Sequence, residues 1–156
     1  MKKQWITILV LLIIGCVSVL GDEVLTRDER IVALTILGEA RGEGKCGMYA
    51  VGCVIQKRAS ERNLTPARVC LQPYQFSIWN AGGGKVKKES KLYYLWKSKS
   101  MMYARELARA ICKNKKLQQA YTGGANHYCT LSTNNYWTRK GVVTKIIGNH
   151  KFYKLK

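Results

Sequence analysis

At 156 residues the chain has the length of one domain, too short for a catalytic domain joined to a separate binding domain. It carries 27 Lys and Arg against 9 Asp and Glu, a net charge of +18 at pH 7. Such a surface attracts polyanions, and the acids are few enough to be followed one by one.

Lys2 and Lys3 precede a run over residues 5–20 that is apolar apart from Thr7 and Ser18, the pattern of an export signal. Cleavage after Gly21 would leave residues 22–156 as one domain. Ile13-Ile14-Gly15-Cys16 also has the form of a lipobox, in which Cys16 is lipidated and becomes the new N-terminus. An uncleaved anchor is the third reading, although the run is shorter than the ~20 residues of a relaxed spanning helix. All three place residues 22–156 outside the cytoplasm, in the periplasm or cell envelope; a lipidated Cys16 or an uncleaved N-terminal segment would also attach them to the membrane. In that setting the polyanion expected is cell-wall polymer or lipid, with nucleic acid the weakest option and a monomer the expected state. The alternative for the charge is a solvated face that only confers solubility.

Thr26-Arg27-Asp28-Glu29 has the spacing of a capping box, so a helix is expected to start there. Ile31, Val32, Ala33, Leu34, Ile36, Leu37 and Ala40 make it apolar round most of its surface, the mark of a central core helix. Gly42 and Gly44 end it or open a tight connection. Residues 47–60 read as a second helix carrying Met48, Val51, Val54 and Ile55, which turns polar at Gln56-Lys57-Arg58.

Pro66 and Pro73 bound a short helix or turn over 67–71 and an irregular segment over 73–80. The aromatic rings, amides and hydroxyls of that segment suggest a binding wall, against the alternative that Phe76 and Trp79 simply plug the core. Three glycines, Gly82 to Gly84, make a flexible break. Residues 90–114 then offer Leu92, Leu95, Trp96, Tyr103, Leu107 and Ile111 at near-helical spacing, one long basic helix or two with a bend. Residues 121–128 read as a turn running into an extended segment. Residues 142–147, Gly148-Asn149 and residues 150–153 read as a β-hairpin. The chain is expected to be helical first and β at its end.

Cys46, Cys53, Cys70, Cys112 and Cys129 follow the signal, an odd number that leaves at least one free. Cys53, among Val51, Val54 and Ile55, is the best candidate for a buried thiol. No CxxC or HxxxH spacing occurs and the histidines are His127 and His150, so no metal and no cofactor is expected.

A carboxyl that serves as a general acid near neutral pH has to hold its proton there, usually in apolar, partly desolvated surroundings. Glu39, at the end of an apolar helix, has the sequence neighbours for this, and Glu43 is the only other acid that stands out. On a continuing helix the two would be i and i+4, with Cβ atoms ~5–6 Å apart on one face. They would then approach a sugar from the same side, whereas a paired-carboxylate glycosidase flanks the scissile bond. Glu43 is therefore expected to orient or accept hydrogen bonds. A lone acid suits lytic transglycosylation; the alternative for Glu39 is a helix-end glutamate satisfied by backbone amides.

Leu37-Gly38-Glu39-Ala40-Arg41-Gly42-Glu43-Gly44, Gly47-Met48, Ala50-Val51, Gln75-Phe76-Ser77 with Trp79-Asn80, Gly123-Gly124-Ala125 with His127-Tyr128, Trp137, and Ile147-Gly148-Asn149-His150 with Phe152-Tyr153 together resemble the SleB-type cell-wall hydrolase family, known from spore cortex-lytic enzymes. The blocks run in order from Asp28 to Tyr153. The resemblance implies a lysozyme-like α+β domain, mainly helical with a small C-terminal β-hairpin or sheet, that cleaves the glycan strand of peptidoglycan with Glu39 as the catalytic acid. It also implies Gln75, Phe76, Ser77, Trp79, His127 and Tyr128 along the glycan cleft. The chain departs from the family in carrying no peptidoglycan-binding repeat, which favours turnover of ordinary wall over spore cortex, and in Asn126, where a threonine or another small polar residue is expected. An amidase acting on the muramoyl-peptide bond and a non-catalytic wall-binding lipoprotein are the alternatives.

Overall fold

The computed structural model describes residues 24–156; the export signal, the lipobox and Cys16 lie outside the described residues. Helix α1 (Arg27–Ala40) starts where the capping box places it. The Glu29 amide donates to Thr26 Oγ1 at 3.3 Å and the Thr26 amide donates back to Glu29 Oε2 at 2.8 Å. Residues 31–37 of α1 are all buried, so it is the core helix that its composition predicts. It packs against α2 (Gly44–Arg62), α3 (Pro66–Cys70) and α4 (Met101–Cys112).

Between α1 and α2 the chain makes one 3₁₀ turn (Arg41–Glu43) after Ala40 leaves helical geometry at φ −143°, ψ 13°. Gly44 then re-enters helix at φ +67°, a left-handed conformation that a side chain disfavours, and α2 begins three residues earlier than its apolar spacing suggests. The expected helix over 90–114 divides. Glu89–Lys97 is 3₁₀, with Leu92 and Leu95, three apart, as its buried residues, and α4 follows as a regular helix. A three-residue repeat brings i and i+3 into line on one side, which suits this pair better than the 3.6-residue period.

The β part contains the predicted hairpin, β2 (Val142–Ile147) and β3 (His150–Lys154), with Gly148 at φ +56° in its turn. The extended segment becomes β1 (His127–Thr130), which joins the other side of β3 to give an antiparallel sheet of order β1-β3-β2. Phe152 packs with Ala50 and Val54 of α2 and with Ala125, fastening the sheet to the helical core. Cys53 is a fully buried thiol, pushed up to about 12 by burial.

Candidate active site

Glu39 lies on the last turn of α1, half-buried, where three elements meet. Its neighbour Gly38 explains how they come so close. A Cβ there would run into the Ile78 side chain, so glycine lets the 3₁₀ turn Ser77–Trp79 press onto α1. Ser77 Oγ then donates to Glu39 Oε1 at 3.0 Å and the Ile78 amide donates to the same oxygen at 3.1 Å. From the sheet, the Tyr128 hydroxyl donates to Oε2 at 3.0 Å. The surroundings of the carboxylate are thus more polar than the apolar sequence before it suggests. Its orientation is fixed by donors from both walls of a cleft.

That cleft has a volume of 560 Å³ and is lined by Glu39, Gln75, Ser77, His127 and Tyr128, together with Arg58, Tyr74, Tyr136, Trp137 and His150. Among the described residues, Glu39 is the only acid that lines it. Tyr128 is held by ring contacts with His150 at 5.1 Å and Phe152 at 5.6 Å between centroids. Burial first, and then the adjacent Glu39 carboxylate, push its phenol well above the ordinary tyrosine value, so it keeps its proton.

Arg58 ties the walls together. It is 5% exposed, with its guanidinium carbon 5.1 Å from the centre of the Phe76 ring. Nε donates to the Asn126 carbonyl at 2.6 Å and Nη1 donates to the Gln75 carbonyl at 3.1 Å. One side chain on α2 therefore bonds to the backbone leading into β1 and to the backbone leading into the 3₁₀ turn. Burial lowers its pKa below the ordinary arginine value. His127 Nδ1 sits 2.9 Å from Asn126 Oδ1, and the ring meets Trp137 at 5.2 Å. Burial first, then Arg58 and Arg62, lower this imidazole to about 4.

Three sequence expectations need correction. Phe76 and Trp79 are each 2% exposed and belong to the core. Trp79 Nε1 donates to Thr35 Oγ1 inside α1 at 2.8 Å, which satisfies its only polar atom away from the cleft, and Phe76 supports the Arg58 guanidinium. Both support the wall from behind and do not line the cleft. Glu43 is not on a continuing helix face with Glu39, because α1 ends at Ala40, and it does not line the cleft. It is the hydrogen-bond acceptor expected of it, but away from the cleft: its Oε2 accepts from the Asn149 amide at 2.7 Å, tying the hairpin turn to the α1–α2 connection.

Sequence reasoning passed over Arg58 and Tyr136. For Arg58 a signal exists: Val51, Val54, Ile55 and Arg58 follow the 3–4 spacing of the buried face, so the charge falls on the stripe that meets the core. Tyr74, in the aromatic segment expected to form a binding wall, does line the cleft; it stands at φ +62°, unusual for a residue with a side chain, and is 70% exposed.

An α+β domain whose core helix ends in a carboxylate, set against a cleft walled by a small antiparallel sheet, is a lysozyme-like arrangement. A family model described as cell wall hydrolase matches residues 42–153, and the chain belongs to that family. Among solved structures, the chain is similar to the catalytic domain of the germination-specific lytic transglycosylase SleB from Bacillus anthracis, with 21% identity over 85% of this chain and 98% of that one and a TM-score of 0.59. It is also similar to the catalytic domain of the Bacillus cereus SleB protein, with 25% identity over 81% and 89% of the two chains and a TM-score of 0.56. No curated protein sequence matches. Glu39 falls three residues before the stretch matched by the family model, so that match does not cover it.

Proposed function

We propose that this chain is an exported enzyme that cleaves the glycan strand of peptidoglycan, as a muramidase or lytic transglycosylase, with Glu39 as its one catalytic acid and base. The observation that carries the reading is the lone carboxylate in the cleft, gripped by Ser77, Ile78 and Tyr128. Paired-carboxylate glycosidases need a second acid across the scissile bond, and among the described residues no second acid lines this cleft. In transglycosylation the Glu39 carboxyl gives its proton to the leaving glycosidic oxygen as the C–O bond breaks. The resulting carboxylate then takes the proton of an internal sugar hydroxyl, whose oxygen forms the new C–O bond, so no water is consumed. The contacts suit both halves of the cycle. The Ser77 and Tyr128 hydroxyls can donate to the carboxylate or turn and accept from the carboxyl, while the Ile78 amide donates throughout. The similar Bacillus anthracis domain is that of a lytic transglycosylase, which agrees with this chemistry.

Gln75, Ser77, His127 and Tyr128 are the residues that line the cleft for substrate. The +18 charge supplies attraction to anionic wall polymer, and the leader over residues 1–21, cleaved or lipidated at Cys16, accounts for delivery to the wall. The test is digestion of purified peptidoglycan with mass analysis of the soluble fragments. Wild type is expected to release glycan fragments, with anhydro ends marking transglycosylation and reducing ends marking hydrolysis. Glu39→Gln is expected to fold and release none; equal activity in that variant would sink the assignment, and release of peptide amino groups would point to an amidase.

A further inference from the structure

The side chain of Asn126 decides what its neighbour His127 can do. Asn126 is 6% exposed and its amide orientation is fixed by its partners. Its Nδ2 donates to the Leu155 carbonyl at 2.9 Å and to Glu61 Oε2 at 3.2 Å, groups that only accept. Its Oδ1 accepts from the Leu155 amide at 2.9 Å, a group that only donates. Exchanging the amide's oxygen and nitrogen would therefore break every one of these bonds. With Oδ1 so placed, the contact of 2.9 Å to His127 Nδ1 can be a hydrogen bond only if Nδ1 carries the hydrogen.

A neutral imidazole protonated on Nδ1 has a bare lone pair on Nε2. Nε2 lies on the other side of the ring from Asn126, His127 lines the cleft that contains Glu39, and no described residue is hydrogen-bonded to Nε2. We infer that His127 is a fixed hydrogen-bond acceptor of the cleft, held in one tautomer by Asn126 and serving to position a glycan O–H or amide N–H. The low basicity that burial imposes keeps the ring uncharged at neutral pH, which suits an acceptor and makes it a poor general base. This inference rests on the reading of the cleft as a glycan site. It goes further by assigning His127 a positioning role with a defined polarity, separate from the acid–base work of Glu39.

Two measurements test it. Nitrogen-15 NMR of the free wild-type protein at pH 7 is expected to show His127 with Nδ1 protonated and Nε2 bare; the opposite tautomer overturns the inference whatever the enzyme does. The second measurement is the affinity for peptide-free glycan strand fragments by calorimetry, and KM on peptidoglycan. His127→Phe keeps a ring against Trp137 and loses the acceptor, and is expected to weaken fragment binding by roughly five- to tenfold, the effect of one hydrogen bond, and to raise KM with kcat changed less. His127→Gln, which can present an amide oxygen near the position of Nε2, is expected to recover part of the loss. A Phe variant that binds as wild type does, or a Gln variant no better than Phe, overturns the inference. A wild-type protein that binds fragments yet releases none from peptidoglycan removes the proposed activity, while the same comparison of affinities still decides the role of His127. A wild-type protein that binds no glycan removes both.

Discussion

Arg58→Met would remove the fork that joins the two cleft walls while keeping a side chain of similar length over Phe76. The fork makes two charge-assisted hydrogen bonds, to Asn126 O at 2.6 Å and Gln75 O at 3.1 Å. Such bonds contribute about 1.5–3 kcal/mol each, and the substitution leaves two carbonyls short of a donor. Against this, the buried guanidinium has no carboxylate of the described residues bonded to it, so its removal returns part of the cost of desolvating a charge. The balance is a net destabilisation of about 2–4 kcal/mol, a fall in Tm of about 6–12 °C for a chain of this size. Urea unfolding should show a lower midpoint with an unchanged slope, and release of glycan fragments should fall further than stability alone explains, because Gln75 and the start of β1 are no longer held in register. Arg58→Lys should recover little, since a single ammonium lacks the planar fork that spans both carbonyls. An Arg58→Met protein within about 0.5 kcal/mol of wild type, and as active, would refute the account of Arg58 as the tie between the walls.

Gly38→Ala places a methyl group against Ile78 and should push the 3₁₀ turn away from Glu39, lengthening the contacts from Ser77 and Ile78; activity should drop at least tenfold with a modest loss of stability, read by fragment release and thermal melting. Glu43→Ala should cost about 1 kcal/mol in urea unfolding through the lost Asn149 contact, and leave the turnover rate within about twofold, because this acid ties the hairpin turn and does not touch the cleft. The folded pKa of His127 is lowered from 6.5 to about 4, so between those values the unfolded chain binds more protons than the folded one. The stability associated with this residue is complete above pH 6.5 and is lost as pH falls toward 4, by on the order of 2–3 kcal/mol. Urea midpoints at pH 7.5 and 4.5 should diverge in wild type, and by clearly less in His127→Gln.

What the sequence determined by itself is whatever depends on near neighbours. Thr26 and Glu29 close a capping box three residues apart, the largely apolar stretch that the box opens forms a buried helix, and Gly148-Asn149 between two strand-forming segments folds them back on each other. Glu39 could be chosen because the helix carrying it was legible. The tertiary structure decided everything that joins distant segments. Glu39 meets Ser77 and Ile78 across 38 and 39 residues and Tyr128 across 89, so its polar setting could not be read from its apolar neighbours in the chain. Trp79 turns inward because Thr35 offers its indole an acceptor on another element, and a loop rich in aromatic rings gives no sign of which rings find such partners. Arg58 spans 17 residues to Gln75 and 68 to Asn126. Periodicity along a sequence reports which face of a helix is covered; which backbone carbonyls wait beneath that face is set only when the elements pack.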